Sequence, residues 1–506
     1  MAQQLNPVIV GIGQCTFRDA DIGRTPVDGM LESARLALDD TGCDAFATDI
    51  DCIVSIPFLA RQLPELAGLF TETAGSGVAE GLGISPATLL TSDYGGNLPQ
   101  WFINRCADDL VSGEYRAVML TGCELMATLF SGLRSGADLS AWQRGGHRES
   151  VDLGAGRDPC LPSERAHGLF EPINTYPLFQ SALRHAHGWS ESEQADRLGR
   201  LVSEMSAVAA DNPLAWKRDT LSPAEVLSTQ SGNRMITSPY TRAMNAILAV
   251  DMAASVILTT DAHARSSGIA PEQMIYLQAG TEANDVWNTA QRVDLYRSPA
   301  LSGCLSQTLD MAGVTAADID CFDLYSCFPS AVEVACDALG MAPDDARGVT
   351  LTGGLMRFGG PGNNYSMHAI AAVCEKLRGG PESRGLVSAN GGYLTKHAVG
   401  VYGRAPPRVP WSERQRDRVQ TAVDRQAHPT LVAQPAPGRL VVEAYAVPFR
   451  DGAPAYGIVL GRLDDGRRCL AHAVDASSCA VMLHDDCVGR PGEVVAGDPV
   501  NSFRFN

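Results

Sequence analysis

No run of about eighteen uncharged apolar residues occurs in this chain, so no segment reads as a membrane span. Residues 1–11 lack a basic region followed by an apolar core, which argues against a secretory signal. Residues 501–506 match no retention or peroxisomal address. Basic charge is scarce: 40 Lys and Arg stand against 58 Asp and Glu, a net charge of −18. That balance repels nucleic acid and anionic membranes, and no basic run offsets it. An anionic ligand would need a local basic pocket or helix N-termini. There is no P-loop, no His-Glu-x-x-His and no Cys-x-x-Cys, and Gly11-Ile12-Gly13 lacks the third glycine of a dinucleotide loop. The 14 cysteines follow no framework spacing, which predicts reduced thiols in the cytoplasm. Cys479, His484 and Cys487 lie close together but fit no common zinc spacing, so no metal is expected.

What is present is an ordinary globular composition over 506 residues, enough for two to four domains. Buried-strand patterns at 8–11, 51–55 and 116–120 alternate with helical patterns at 26–40 and 99–110. This is the signature of a parallel α/β sheet. Residues 127–237 change texture: they begin rich in Gly, Ser, Arg and Asp, then carry a helix over 190–210 with Ser190 suited to the N-cap. They read as an insertion. A strong apolar strand at 253–260 follows, and then a second α/β run. Its strands fall at 276–279, 321–325 and 385–389, and its helices at 301–313, 330–339 and 365–377. Residues 404–434, rich in Pro, Arg and Gln, read as a linker. Beyond 437 the texture is all β, with Asp451-Gly452 and Asp465-Gly466 as hairpin turns, predicting a small barrel.

Five segments, in order, resemble the thiolase superfamily. Gly122-Cys123-Glu124-Leu125-Met126 is similar to its Gly-x-Glu-x-Met strand end. Val250-Asp251-Met252-Ala253-Ala254 is similar to its Asp-Gly-Ala-Ala strand start. Tyr325-Ser326-Cys327-Phe328 stands where the family carries Asn-Glu-Ala-Phe, or His-Asp-Cys-Phe in the sterol-carrier-protein type. Gly359-Gly360-Pro361 resembles Gly-His-Pro, and Asn390-Gly391-Gly392 resembles the last catalytic turn. The resemblance implies a duplicated thiolase fold, with two α/β halves in αβαβα layers. The first half spans 1–262 and includes the 127–237 insertion. The second spans 263–403. The 404–434 linker then leads to an OB-like β-barrel at 435–506. It also implies an acetyl-CoA acetyltransferase-like acyltransferase that takes acyl-CoA or CoA as substrate or ligand without a further cofactor, as monomer or homodimer.

The same comparison shows what is missing. A thiolase carries its acyl group on a low-pKa cysteine at a helix N-terminus. That position falls at Gly96. The histidine of Gly-His-Pro is Gly360, the third-loop residue is Tyr325, and the final cysteine is Ala389. Ordinary thiolysis is therefore not expected. Backbone N–H groups at Gly95, Gly96, Asn390 and Gly391 are candidates to hold a thioester carbonyl, although such glycines equally serve tight turns. Tyr325 and Tyr365 resemble the tyrosine positions of thiolase-fold steroid side-chain aldolases, which suggests a tyrosine-dependent C–C lyase as an alternative. A non-catalytic acyl-CoA-binding protein is a third reading. His368 and His397 are candidate displaced bases, and Lys396 is a candidate phosphate contact.

Overall fold

The computed structural model describes residues 5–154, 156–432 and 437–505; the expected linker–barrel boundary at 434/435 and the chain ends lie outside the described residues. The first half is built from β1 (Pro7–Thr16), α1 (Pro26–Asp40), β2 (Ile50–Ser55), β3 (Thr88–Thr91), α2 (Leu98–Ser112) and β4 (Ala117–Leu125). Helix α1 has the bounds expected from sequence because its start is locally encoded. Thr25 Oγ1 accepts from Asp28 N at 3.1 Å while Asp28 Oδ2 accepts from Thr25 N at 2.9 Å, a reciprocal capping box ahead of Pro26. The insertion supplies α3 (Pro172–His187) and α4 (Glu191–Asp211), and Ser190 caps α4 in the same way, with Glu193. The chain returns to the sheet in β5 (Asp251–Thr260).

The second half holds β6 (Ile275–Asn284), α5 (Pro299–Ala312), β7 (Cys321–Asp323), α6 (Pro329–Leu339), α7 (Tyr365–Gly379), β8 (Arg384–Gly391) and β9 (Lys396–Gly403). The strands run in the order β7-β8-β9-β6-β1-β5-β4-β2-β3, and the halves meet where β1 pairs with β6 at Val8–Tyr276 and Ile9–Ile275. The central helices α2 and α7 each pack on strands of both halves, α1 covers the outer face of the first sheet, and α5 covers that of the second. This is the expected αβαβα layering. Beside β3, the short strand Val151–Asp152 of the insertion pairs in parallel with Leu90 and Thr91, so the chain covers its own sheet edge.

The tail forms a closed five-stranded barrel of β10 (Gly438–Arg450), β11 (Gly457–Leu463), β12 (Arg468–Ala473), β13 (Pro491–Val495) and β14 (Ser502–Phe505). Its order β10-β11-β12-β14-β13 closes on β10, with β12 and β14 parallel, which is the OB arrangement. Asp451 and Gly452 both adopt positive φ (50° and 81°) in the β10 turn, as an Asp-Gly hairpin requires. The all-β expectation needs one correction: α8 (Ala476–His484) lies between β12 and β13, started by Asp475, which accepts from Ser478 N at 2.7 Å. The barrel is fastened to the body. β10 pairs at Val447–Ser238 with the hairpin of Met235–Ser238 and Tyr240–Thr241 that straddles the end of the 127–237 segment, and Arg468 reaches Glu443 at 2.6 Å and the carbonyls of Ala290, Arg292 and Val293. Within 404–434, Trp411 is buried and donates to Asp108 at 2.8 Å, and a helix occupies Arg418–Asp424.

Candidate functional site

Loops from both halves converge at the N-terminus of α2. Gly95-Gly96-Asn97 turns the chain into that helix, whose Pro99 lacks an N–H where none has an intrahelical partner. The segment after β7 brings Tyr325, the one before α7 brings Asn363 to Tyr365, and the end of β8 brings Asn390 and Gly391. Gly95 N donates to Asn363 Oδ1 at 2.8 Å, and Ser366 Oγ donates to Gly96 O at 2.6 Å. A Cβ on Gly391 would stand 3.0 Å from Gly95 Cα, so the first and last loops touch backbone to backbone.

The niche above Gly96 is filled. A Cβ on Gly96 would overlap the Tyr325 hydroxyl, 2.5 Å from Cζ and 2.7 Å from Asn390 O. Gly96 is not among the residues at positive φ, so contact alone requires glycine there. Tyr325 is 8% exposed. Among the described residues its hydroxyl makes no hydrogen bond; its backbone N–H donates to Ser388 Oγ at 3.2 Å. Burial pushes its pKa well above the ordinary phenol value, so it stays protonated. The Tyr325 ring meets Tyr365 edge-on, with centroids 5.5 Å apart.

Tyr365 is placed differently. It is fully buried, and its hydroxyl donates to Asp323 Oδ1 at 2.9 Å and lies 2.7 Å from Thr352 Oγ1. Burial raises its pKa, with the Asp323 charge adding to the effect. The two tyrosines thus meet through their rings while the Tyr365 hydroxyl is engaged in the core. His368 pairs with Gln14 at 2.9 Å and packs on Phe358, and burial lowers its pKa to about 3. Gly360 lies among Ala246, Ile247 and Leu355, and its N–H donates to Ile247 O at 2.9 Å. Asn390 Nδ2 donates to Tyr176 Oη at 2.9 Å, and Tyr176 stacks on Phe328 at 4.3 Å.

Lys396 and His397 lie beside the same turn, where β9 begins. Lys396 Nζ is 3.5 Å from Asp93 Oδ1, donates to Tyr94 O and sits over the Trp287 ring. Burial lowers its pKa, and Asp93 opposes this. His397 Nε2 lies 2.9 Å from Leu394 O, so it carries the proton. It is also 3.1 Å from Ser298 Oγ, which donates to Asp285. Nδ1 is left as an unpaired lone pair, and burial lowers the pKa to about 4. Both residues, with Asn97 and Trp101, line a cavity of about 210 Å³.

No low-pKa thiol is present at this turn. Cys106 lies inside α2, fully buried, its pKa raised by burial, and burial pushes Cys327 up to about 12. Glu124 is an acceptor for Leu59 N at 2.8 Å and Asn363 N at 3.2 Å. Burial pushes its pKa up to about 8. Sequence reasoning missed Asn363, Ser366, Tyr176 and Asp323. Asn363 and Ser366 flank Tyr365 in the sequence, whereas nothing in the sequence singles out Tyr176.

A family profile described as "Thiolase-like protein type 1 additional C-terminal domain" matches residues 418–498. A monomeric SCP2-thiolase like protein type 1 from Mycobacterium smegmatis has a crystal structure similar to this chain, with a TM-score of 0.84, 30% identity and 100% of each chain covered. The Ltp2-ChsH2(DUF35) aldolase shares the fold, with a TM-score of 0.59 at 18% identity over 80% of this chain and 98% of that one. A 3-ketoacyl-CoA thiolase of Salmonella heidelberg (strain SL476) is 32% identical over 162 residues, 29% of this chain and 35% of its own length. The chain thus spans about a third of that curated relative. Among the described residues, no helix is long and apolar enough to cross a membrane.

Proposed function

The chain belongs to the SCP2-thiolase-like proteins of type 1, and we propose that it binds acyl-CoA or CoA without performing cysteine-dependent thiolysis. The observation that carries this reading is the filled niche: the Tyr325 hydroxyl occupies the space that a side chain at position 96 would need. A thiolase nucleophile must sit at that helix start, where backbone N–H groups favour thiolate. Here no thiol reaches it, and Cys106 and Cys327 are held protonated by burial. The CoA part of the reading rests on the family and on the thiolase that shares part of the sequence. The self-covered β3 edge and the fused barrel fit a monomer, the state of the Mycobacterium smegmatis protein.

A second reading, a tyrosine-dependent C–C lyase, draws on the unpaired Tyr325 hydroxyl. Tyr325 suits the role of proton donor to an enolate, since its raised pKa keeps it protonated. The reaction also needs a base to take the β-hydroxyl proton as that oxygen becomes a carbonyl and the C–C bond breaks, and Tyr365 is committed to Asp323 and Thr352. The binding reading is therefore the better supported. Its test is calorimetry with CoA and acetyl-CoA, alongside a thiolysis assay on acetoacetyl-CoA and intact mass after incubation. We expect saturable binding, no acetyl-CoA release and no acyl adduct. An adduct on any cysteine would overturn the proposal, as would the absence of binding.

A further inference from the structure

Away from the loops around Gly96, the face of α3 that meets the barrel buries a cation without giving it a counter-ion. Arg184 is 8% exposed, and among the described residues the only hydrogen bond of its side chain runs from Nε to Trp189 O at 3.2 Å. The acids around it are engaged elsewhere: Asp486 binds His185 at 2.7 Å, and Glu191 lies 3.9 Å from His484 at the rim. A position in the last turn of α3 suits a positive charge, because helix carbonyls point that way, but this leaves both terminal guanidinium nitrogens unused. Neither terminal nitrogen is wholly shut off from solvent, so an anion that reaches them through the neighbouring cavity would replace water rather than an existing partner.

Arg184 lines a solvent-open cavity of about 270 Å³ bounded by α3, α4, the hairpin around Ser238-Pro239 and the barrel. Pro177, Ser181 and Arg184 lie along one side of α3 and form its floor. Leu198, Leu227 and Met235 form one wall, and Met482 and Leu483 of α8 form the other. Ser181 Oγ is occupied by Tyr445 N at 2.9 Å, so the guanidinium is the main free donor. Glu191 and Gln194 also line it, so the shape is a polar end that holds Arg184 and an apolar stretch between Leu198, Leu227, Met482 and Leu483. Its volume lies just under the roughly 300 Å³ at which ligand pockets usually begin, which limits the occupant to a small molecule.

We propose that this cavity binds a small amphipathic carboxylate of the medium-chain fatty-acid class. The carboxylate pairs with the two terminal nitrogens of Arg184, a planar match for two oxygens, and the tail lies between α4 and α8. The site is separate from the acyl-CoA reading and does not depend on it.

The test uses the full chain and calorimetry with octanoate, against 1-octanol and octylammonium, which keep the tail and change the head. Octanoate should bind about ten- to a hundredfold more tightly than 1-octanol, the range for a hydrogen-bonded charge, and octylammonium should not bind. Arg184→Gln should weaken octanoate by a similar factor, and Arg184→Lys should restore part of it. Ala195→Phe, which fills the chamber from α4, should abolish octanoate binding and serves if the Arg184 variants fail to fold. Equal affinity for octanoate and 1-octanol, or binding unchanged in Arg184→Gln or in Ala195→Phe, would overturn the assignment. So would the absence of octanoate binding.

Discussion

The mutual exclusion of a side chain at position 96 and the ring at 325 can be measured as a coupling energy. In Gly96→Ala, the new methyl would overlap the Tyr325 hydroxyl and stand 2.5 Å from Cζ and 2.7 Å from Asn390 O. Relief requires the ring to move by about 1 Å inside close-packed surroundings. It is 8% exposed and rests against Tyr365, while Asn390 O, in strand β8, need give by only a few tenths of an ångström. Overpacking of this kind costs about 1–3 kcal/mol, and the overlap with the buried ring places Gly96→Ala at about 2–3 kcal/mol. Tyr325→Ala alone should cost about 3–5 kcal/mol as a large-to-small change. In that background the largest clash is gone, so Gly96→Ala should add no more than about 1 kcal/mol. The cycle therefore predicts a coupling of about 2 kcal/mol. Urea unfolding of the parent, the two single variants and the double variant, followed by circular dichroism, supplies all four corners. If Gly96→Ala is as stable as the parent, or costs the same in both backgrounds, the filled niche is wrong.

Two further outcomes follow from buried ionisable groups. Glu124 has its pKa raised from the ordinary 4.5 to about 8 by burial, so folding favours its protonated form. Its contribution is full below pH 4.5 and is lost as pH rises through about 8, at about 1.4 kcal/mol per pH unit between the two values. Denaturant titrations between pH 5 and 9 should show the parent losing a few kcal/mol that Glu124→Gln retains; parallel curves would contradict the assignment. Arg468→Met removes the pin between barrel and body, leaving Glu443 and the carbonyls of Ala290, Arg292 and Val293 without it. A loss of about 2–4 kcal/mol is expected, with faster proteolytic cleavage in 404–437. Unchanged cleavage would mean that the hairpin pairing alone holds the barrel.

How much of this was legible in the sequence depended on how far each interaction reaches along the chain. Helices α1 and α4 were readable to within a residue because Thr25 with Asp28, and Ser190 with Glu193, satisfy their first turns locally. The barrel strands showed through their Asp-Gly turns for the same reason. Helix α8 did not, because its apolar residues are contiguous, and the burial of Cys479 and Met482 against the barrel decides its form. The site was legible as positions rather than as contacts. Asn363 reaches Gly95 across 268 residues and Tyr176 reaches Asn390 across 214, and no local pattern marks either pair.

That distinction bears on the chemistry. Read position by position from the thiolase resemblance, Gly96 and Tyr325 are two separate departures, one where the nucleophile is expected and one in the third loop. In the fold they are a single packing unit, since a Cβ at 96 and the ring at 325 cannot coexist. Placing cysteine at 96 alone would force the ring out of a buried niche at the cost estimated for alanine or more, because sulfur extends further into the same space. On the proposed function, cysteine chemistry is thus blocked by close packing as well as by the absence of a thiol, and installing it would take at least two simultaneous changes.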